Sequence, residues 1–306
     1  MTTTFHAPEI VPYPPAGAGL RQPARIRREP TTKWAVGMLR GRSLGELAAP
    51  PGIVNPIISE HDLAAFGGTM AADPFAIEVD GTWFLFFEMV TVHSPHAVIA
   101  AARSRNLVDW EQLGPVLAPG HHLSYPFVFE HDGDIFMMPE SKKAREVTIY
   151  RAVDFPRRWK AERTILRGRY FDASMVRHEG RYWLFVGWWS YWLRLFHAPH
   201  PLGPWTPHAW PFVRGHARDA ARPGGRPIVL DDKLIRFGQD NLLHYGHRLG
   251  AWHVTTMTPL WYAEEPLLPH PLLEPAGTGW NGRCMHHIDL HRVADGSLLA
   301  FVDGAP

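Results

Sequence analysis

The chain has 306 residues, with 31 basic against 30 acidic side chains and a formal charge of +1. Its hydrophobic fraction of 45% suits a globular protein with a sizeable core, and without a basic block it is not expected to take nucleic acid as a partner. The single cysteine, Cys284, excludes an intrachain disulfide and any Cys-clustered zinc site.

In chain order, residues 1–30 are rich in Pro, Ala and Arg and lack an apolar signal-peptide core, so they read as a flexible arm before a single domain over residues 31–306. The most apolar stretch, Tyr182 to Leu193, is far shorter than the roughly 20 residues of a membrane helix. No membrane-spanning segment is expected, and a cytoplasmic location is.

Trp34–Leu39 followed by Arg40-Gly41-Arg42-Ser43-Leu44 repeats the pattern of Val98–Ala102 followed by Arg103-Ser104-Arg105-Asn106-Leu107, and Val54–Ile58 offers a further strand. Five hairpins then share one register. They run from Asp73 through Asp80-Gly81 to Glu88, and from Tyr125 through Asp132-Gly133 to Glu140. The next two run from Asp172 through Glu179-Gly180 to Gly187, and from Gly225 through Asp232-Lys233 to Asp240. The last runs from Ile288 through Asp295-Gly296 to Asp303. Acidic-Gly pairs between β-rich runs are hairpin signals. Two more strand-like runs follow each of the first four hairpins, which is the pattern of a propeller blade. The fifth hairpin lacks these outer strands, and the segment from Trp34 to Ile58 supplies them. The fold expected is therefore all-β, a five-bladed β-propeller whose last blade is closed by N-terminal strands; an open β-sandwich is the alternative.

In this register the ends of the inner hairpins share one face. The carboxylates Asp73, Glu88, Glu140, Asp172 and Asp240 should converge near the axis, with Asp303 peripheral. Trp188, Trp189, Tyr191 and Trp192 should overhang the mouth. Carboxylates beside flat rings suit a sugar, whose C–H faces stack on aromatics while its hydroxyls need acceptors. The plainer alternative has the carboxylates capping strands or pairing with Arg222, Arg226 and Arg283, and the rings packing between blades. Candidates for substrate contact are Tyr125, Trp188, Trp189, Arg222, Arg226, Asp240, His286 and His287. Strand alternation sends His287, Asp289 and His291 to one side and His286 to the other. These imidazoles are structural, or they hold a structural metal ion at the axis near His287. No phosphate loop, HExxH or other cofactor motif is present.

Ala72-Asp73-Pro74 and Phe171-Asp172-Ala173-Ser174 resemble the first and third blades of the five-bladed glycoside hydrolases of families 43 and 32. That resemblance implies Asp73 as general base or nucleophile and Asp172 as the carboxylate that orients and tunes the acid. From Trp34 onward the chain more closely resembles the N-terminal propeller of plant glucosamine inositolphosphorylceramide transferases and its free-standing bacterial relatives. Asp73-Pro74-Phe75, Phe86-Phe87-Glu88, Asn106 to Trp110, Pro139-Glu140-Ser141, Pro201 to Trp205 and Gln239-Asp240 carry it. The hydrolases' acid is a Glu opening the fourth blade, where this chain has Gly225. Proton donation then falls to Glu140 or Glu88. The leading expectation is a carbohydrate-active enzyme acting on a glycoside or sugar conjugate by hydrolysis or transfer. The alternatives are a non-catalytic sugar-binding propeller, or non-glycosidic acid–base chemistry (a lyase or cyclase) using His286, His287 and Tyr125.

Overall fold

The computed structural model describes residues 33–189, 191–215 and 220–306, so the expected arm over 1–30 lies outside the described residues. Among these, no α-helix occurs and no helix is long and apolar enough to cross a membrane. Strand β1 is Ala35–Gly41. Blade I holds β2 (Gly68–Val79), β3 (Thr82–Thr91), β4 (Val98–Ser104) and β5 (Glu111–Leu117). Blade II holds β6 (Ser124–His131), β7 (Asp134–Glu140), β8 (Glu146–Asp154) and β9 (Arg158–Arg167). Blade III holds β10 (Tyr170–His178), β11 (Arg181–Trp188), β12 (Trp192–Ala198) and the short edge pieces β13 (Thr206–Pro207) and β14 (Arg214–Gly215). Blade IV holds β15 (Ile228–Leu230), β16 (Lys233–Asp240), β17 (Arg248–Met257) and β18 (Tyr262–Pro266). Blade V holds β19 (Ile288–Arg292) and β20 (Leu298–Gly304), with β1 on the outer side of β20. The five antiparallel sheets form the expected propeller.

The first three inner hairpins turn as their sequences predict. Asp80 and Gly81 have φ of 49° and 70°, Asp132 and Gly133 51° and 81°, Glu179 and Gly180 48° and 77°. Two-residue loops with both φ positive match the right-handed twist of the strands they join. Blade IV departs from the expected register. Leu230 pairs with Lys233, so its turn is Asp231-Asp232 (φ 49° and 62°), one residue earlier than Asp232-Lys233. Blade V has a wider loop between the paired Arg292 and Leu298, in which Asp295 accepts from the amide and hydroxyl of Ser297.

The N-terminal strand closes the ring as expected, β1 running antiparallel to β20 from Ala35 opposite Gly304 to Gly41 opposite Leu298. The strand expected over Val54–Ile58 shrinks to one bridge, Ile58 to Val36. Pro56 has no N–H to give a ladder. Asn55 substitutes with its side-chain amide, which exchanges two 2.9 Å hydrogen bonds with the backbone of Met38.

Alternation along each strand packs blade on blade. On β3, Phe84 and Phe86 face blade II, in a cluster with Phe127, Val128 and Met137. Leu85 and Phe87 face the other way, against Val36, Met38 and Phe301 of blade V. Further clusters join blades IV and V around Phe237, Ile288 and Val302, and blades III and IV around Phe185, Leu234 and Tyr262. Each fully buried phenylalanine contributes about 1.5–3 kcal/mol, so neighbouring blades hold each other in place.

Candidate functional site

Three inner strands carry the same distortion at the same register position. β2 begins at Gly68, and Ala72 pairs with Glu88 while Phe75 pairs with Phe86, so Asp73-Pro74 is a bulge opposite one residue. Tyr125-Pro126 and Asp172-Ala173 repeat it in blades II and III. Asp73, Tyr125 and Asp172 have φ of 53°, 49° and 47°. That left-handed conformation is rare for residues other than glycine and costs about 1–3 kcal/mol each. The bulges turn these residues toward the axis. The extra residue also places Ala72 opposite Glu88, and Ser124 opposite Glu140, where a regular hairpin would have placed Asp73 and Tyr125.

A cavity of about 890 Å³ opens on this face, with Asp73, Glu88, Glu140, Arg222, Tyr245 and His286 in its wall. Asp172 lies beneath it, clamped by the Arg222 guanidinium through Nε and Nη2 and by Gln239 Nε2 at 2.9 Å. Burial alone would raise the Asp172 pKa, but Arg222 outweighs it and holds the carboxyl below its ordinary value. Glu140 shares a hydrogen bond with Asp172, stands 4.0 Å from Arg222 Nη2, and keeps Oε2 buried without a hydrogen-bond partner. Burial, reinforced by the negative Asp172, pushes Glu140 up from 4.5 to about 8. Near neutral pH the pair is one glutamic acid beside one aspartate anion.

Asp73 lines the same cavity. Its amide donates to Asp303 Oδ2 at 3.1 Å, and its Oδ1 lies 3.7 Å from His286 Nε2 and 3.9 Å from His287 Nδ1. Burial raises it to about 7, with His286 opposing that rise and Asp172 and Asp303 adding to it. Asp303, expected to be peripheral, is instead fully buried behind Asp73, outside the cavity lining. It accepts from the amides of Asp73, His286 and His287 and from His286 Nδ1. Asp240, expected at the axis, is held by Arg248 Nε at 2.6 Å and caps the amide of Leu242, outside the cavity wall. Glu88 lines the cavity, 3.5 Å from His122 Nε2.

The remaining candidates, His286 excepted, lie around the cavity rather than in its wall. The Tyr125 hydroxyl contacts Ser174 Oγ at 2.7 Å and donates to the Gly225 carbonyl, tying blades II, III and IV. Arg226 donates to Asp289 at 2.7 Å, and that carboxylate also binds His291 and the amide of Ala76. His287 sits on the same side, its Nε2 on the Pro74 carbonyl at 2.9 Å, and burial lowers its pKa to about 4. His286 faces the cavity, as alternation requires. Trp188 ends β11 and packs on Phe212 at 5.1 Å, and Trp189 is 62% exposed in the adjoining turn, so neither overhangs the cavity. Residues the sequence did not single out complete the wall. Phe171 and Tyr245 flank the Arg222 guanidinium at 5.2 and 5.3 Å, and Lys142 Nζ sits 3.8 Å above the Phe171 ring. Phe171 was findable as the neighbour of Asp172; Tyr245 lies in the loop that joins β16 to β17 within blade IV, with no repeat signal.

Residues 33–305 match the family described as Glucosamine inositolphosphorylceramide transferase 1, N-terminal. The chain belongs to that family. Glucosamine inositolphosphorylceramide transferase 1 of Oryza sativa subsp. japonica is 35% identical over 298 residues, covering 89% of this chain and 40% of the relative. That of Arabidopsis thaliana is 34% identical over 305 residues, covering 91% and 40%. The chain thus spans about 40% of the length of these curated relatives. Among solved structures, Bacteroides ovatus Xyloglucan PUL GH43B aligns with a TM-score of 0.60 at 18% identity, over 77% of this chain and 48% of that one. An exo-1,5-alpha-L-arabinanase from a bovine ruminal metagenomic library aligns at 0.58 and 16%, over 76% and 91%. At these identities the likeness is one of fold alone.

In this member of the glucosamine inositolphosphorylceramide transferase N-terminal family, the fourth-blade position is sterically closed. A Cβ on Gly225 would lie 1.8 Å from the Ile288 carbonyl oxygen, because blades IV and V bridge in parallel there. Asp73, His286 and Asp303 cluster like metal ligands. The donor set does not fit an ion, because Asp303 already accepts four N–H groups and His286 Nδ1 is one of them. A second cluster, His131 and His200 with Asp132, lies on the turn face. There the Leu202 amide donates to His200 Nδ1, which places the His200 proton on Nε2, 2.9 Å from His131 Nε2. That is a hydrogen-bonded pair.

Proposed function

We propose that this propeller is a carbohydrate-active enzyme, acting by glycosidase-like hydrolysis or transfer on the sugar portion of a glycoside or glycoconjugate held in the axial cavity. The observation that carries the reading is the Glu140–Asp172 pair, a cavity-lining carboxylic acid kept protonated near neutrality beside an anchored anion. Glu140 would protonate the leaving oxygen. Asp172 and Arg222 would hold that acid in place, and Asp73, which lines the same cavity, would act as base or nucleophile. The relatives' name, glucosamine inositolphosphorylceramide transferase, supports a sugar or glycoconjugate ligand, and the fold likeness to glycosidases supports an axial site. Gly225 favours a second reading, a sugar-binding propeller without turnover, since no acid can occupy the hydrolases' position.

The two readings separate on a panel of glycosides and glycolipid head groups, assayed for turnover and, by calorimetry, for binding. The enzyme should show a narrow activity optimum. Asp73 must be ionised, so the rate rises through about pH 7; Glu140 must be protonated, so it falls again through about pH 8. Asp73→Asn should lower turnover at least ~100-fold while affinity stays within about tenfold. Glu140→Gln should remove the alkaline limb and spare substrates with very good leaving groups. Tight binding with no turnover across the panel would establish the binding module instead.

A further inference from the structure

The wall that carries Asp73 contains a hydrogen-bonded chain that the proposed acid–base pair does not use. Asp303 accepts from three backbone amides, those of Asp73, His286 and His287, at 3.1 Å each. Such a carboxylate is fixed in position and kept ionised, and the Asp303 pKa lies below its ordinary value because His286 outweighs the effect of burial. His286 Nδ1 stands 2.9 Å from Asp303 Oδ1. With Nδ1–H committed there, the ring can turn only Nε2 outward, 3.2 Å from the Tyr245 hydroxyl and 3.7 Å from Asp73 Oδ1. The ring packs against Trp34 with centroids 4.3 Å apart and planes tilted by 31°, which restricts its rotation.

We propose that His286, anchored by Asp303, is a positioning residue that supplies the counter-charge holding Asp73 as a carboxylate while substrate fills the cavity. The idea rests on the reading of Asp73 as the base. The surroundings show the need for it. Asp73 is buried and faces the anions Asp172 from blade III and Asp303 from blade V. Arg222, entering ahead of blade IV, is committed to Asp172. His287 is neutral and Tyr245 keeps its proton, burial lowering the first and raising the second. That leaves His286 as the dominant cation for Asp73, ahead of the weaker pull of Arg222, and its pKa is raised because Asp303 and Asp73 together more than offset burial. Once substrate expels water, no solvent remains to stabilise the Asp73 anion, and the imidazolium takes over that role.

Carboxyl 13C NMR of the full chain tests this without requiring activity. In His286→Gln the Asp73 midpoint should rise by at least ~1 pH unit. In the unsubstituted protein the His286 ring nitrogens should report an imidazolium at about pH 6–7 and show a second inflection at the Asp73 midpoint. With an aryl glycoside that needs no protonation, His286→Gln should lose about tenfold in rate at pH 6 and recover to within ~threefold at pH 9.5; a merely structural role would lower both alike. An unchanged Asp73 midpoint, or a neutral His286 in the unsubstituted protein, overturns the inference. A shifted midpoint with no turnover of any glycoside sustains it and removes the catalytic reading of Asp73 instead.

Discussion

Glu140 and Asp73 make the folded state less stable as pH rises. Glu140 moves from 4.5 in its ordinary environment to about 8 in the fold, and Asp73 from 3.8 to about 7. Below the lower values both states are protonated and neither group opposes folding. Above them the unfolded chain ionises first, so the stability present in acid is lost as pH climbs, and the loss levels off once pH passes the folded values. Glu140→Gln abolishes the ionisation. Its melting temperature should exceed that of the unsubstituted protein by several degrees at pH 9, at roughly 2–4 °C per kcal/mol for a chain of this size. The gap should narrow at pH 4. Thermal melts followed by circular dichroism at the two pH values check both parts; equal melting temperatures at pH 9 would mean that Glu140 is not held as the acid. A stabilising substitution that removes turnover is the usual mark of a functional group kept against the preference of the fold.

At the scale of strands, what the sequence disclosed and what it hid divide along a physical line. The inner hairpins were legible because their turns are local chemistry, an acidic residue and glycine that both accept positive φ. The bulges were not, since Asp-Pro, Tyr-Pro and Asp-Ala share no turn signature and only the ladder shows the extra residue. The place of Asp303 was hidden for a related reason, because one amide it binds, that of Asp73, is 230 residues away in the chain. Gly225 shows the same limit from the other side. Its identity was legible as a departure, but its cause is the contact between blades IV and V. Gly225→Ala should therefore cost at least ~3 kcal/mol, since the methyl would strike backbone that cannot move without breaking that bridge. Urea titration checks it, and a loss under ~1 kcal/mol would mean that the two blades separate freely. Gly225→Glu should likewise fail to restore the acid of the hydrolases.

For the whole molecule, closure is the decisive event. Every blade packs on its neighbours, and blade V gains its outer strand only from β1, with residues such as Val36 and Met38 filling the space between blades V and I. Removing residues 1–60 should leave a chain that melts without cooperativity. A synthetic peptide covering residues 33–60, added in trans, should restore a sharp transition, because it supplies the missing ladder along β20. A truncated chain that is monomeric and melts sharply without the peptide would refute the closure. The same pairing sets an order of events during synthesis. Val36 is among the earliest described residues to leave the ribosome, and its partner Asp303 is among the latest. A strand with an apolar face must wait unpaired while four blades are made beside it, at roughly 5–20 residues per second. The nascent chain therefore spends about fifteen seconds to a minute with that strand open, long enough for a second nascent chain or a chaperone to meet it first.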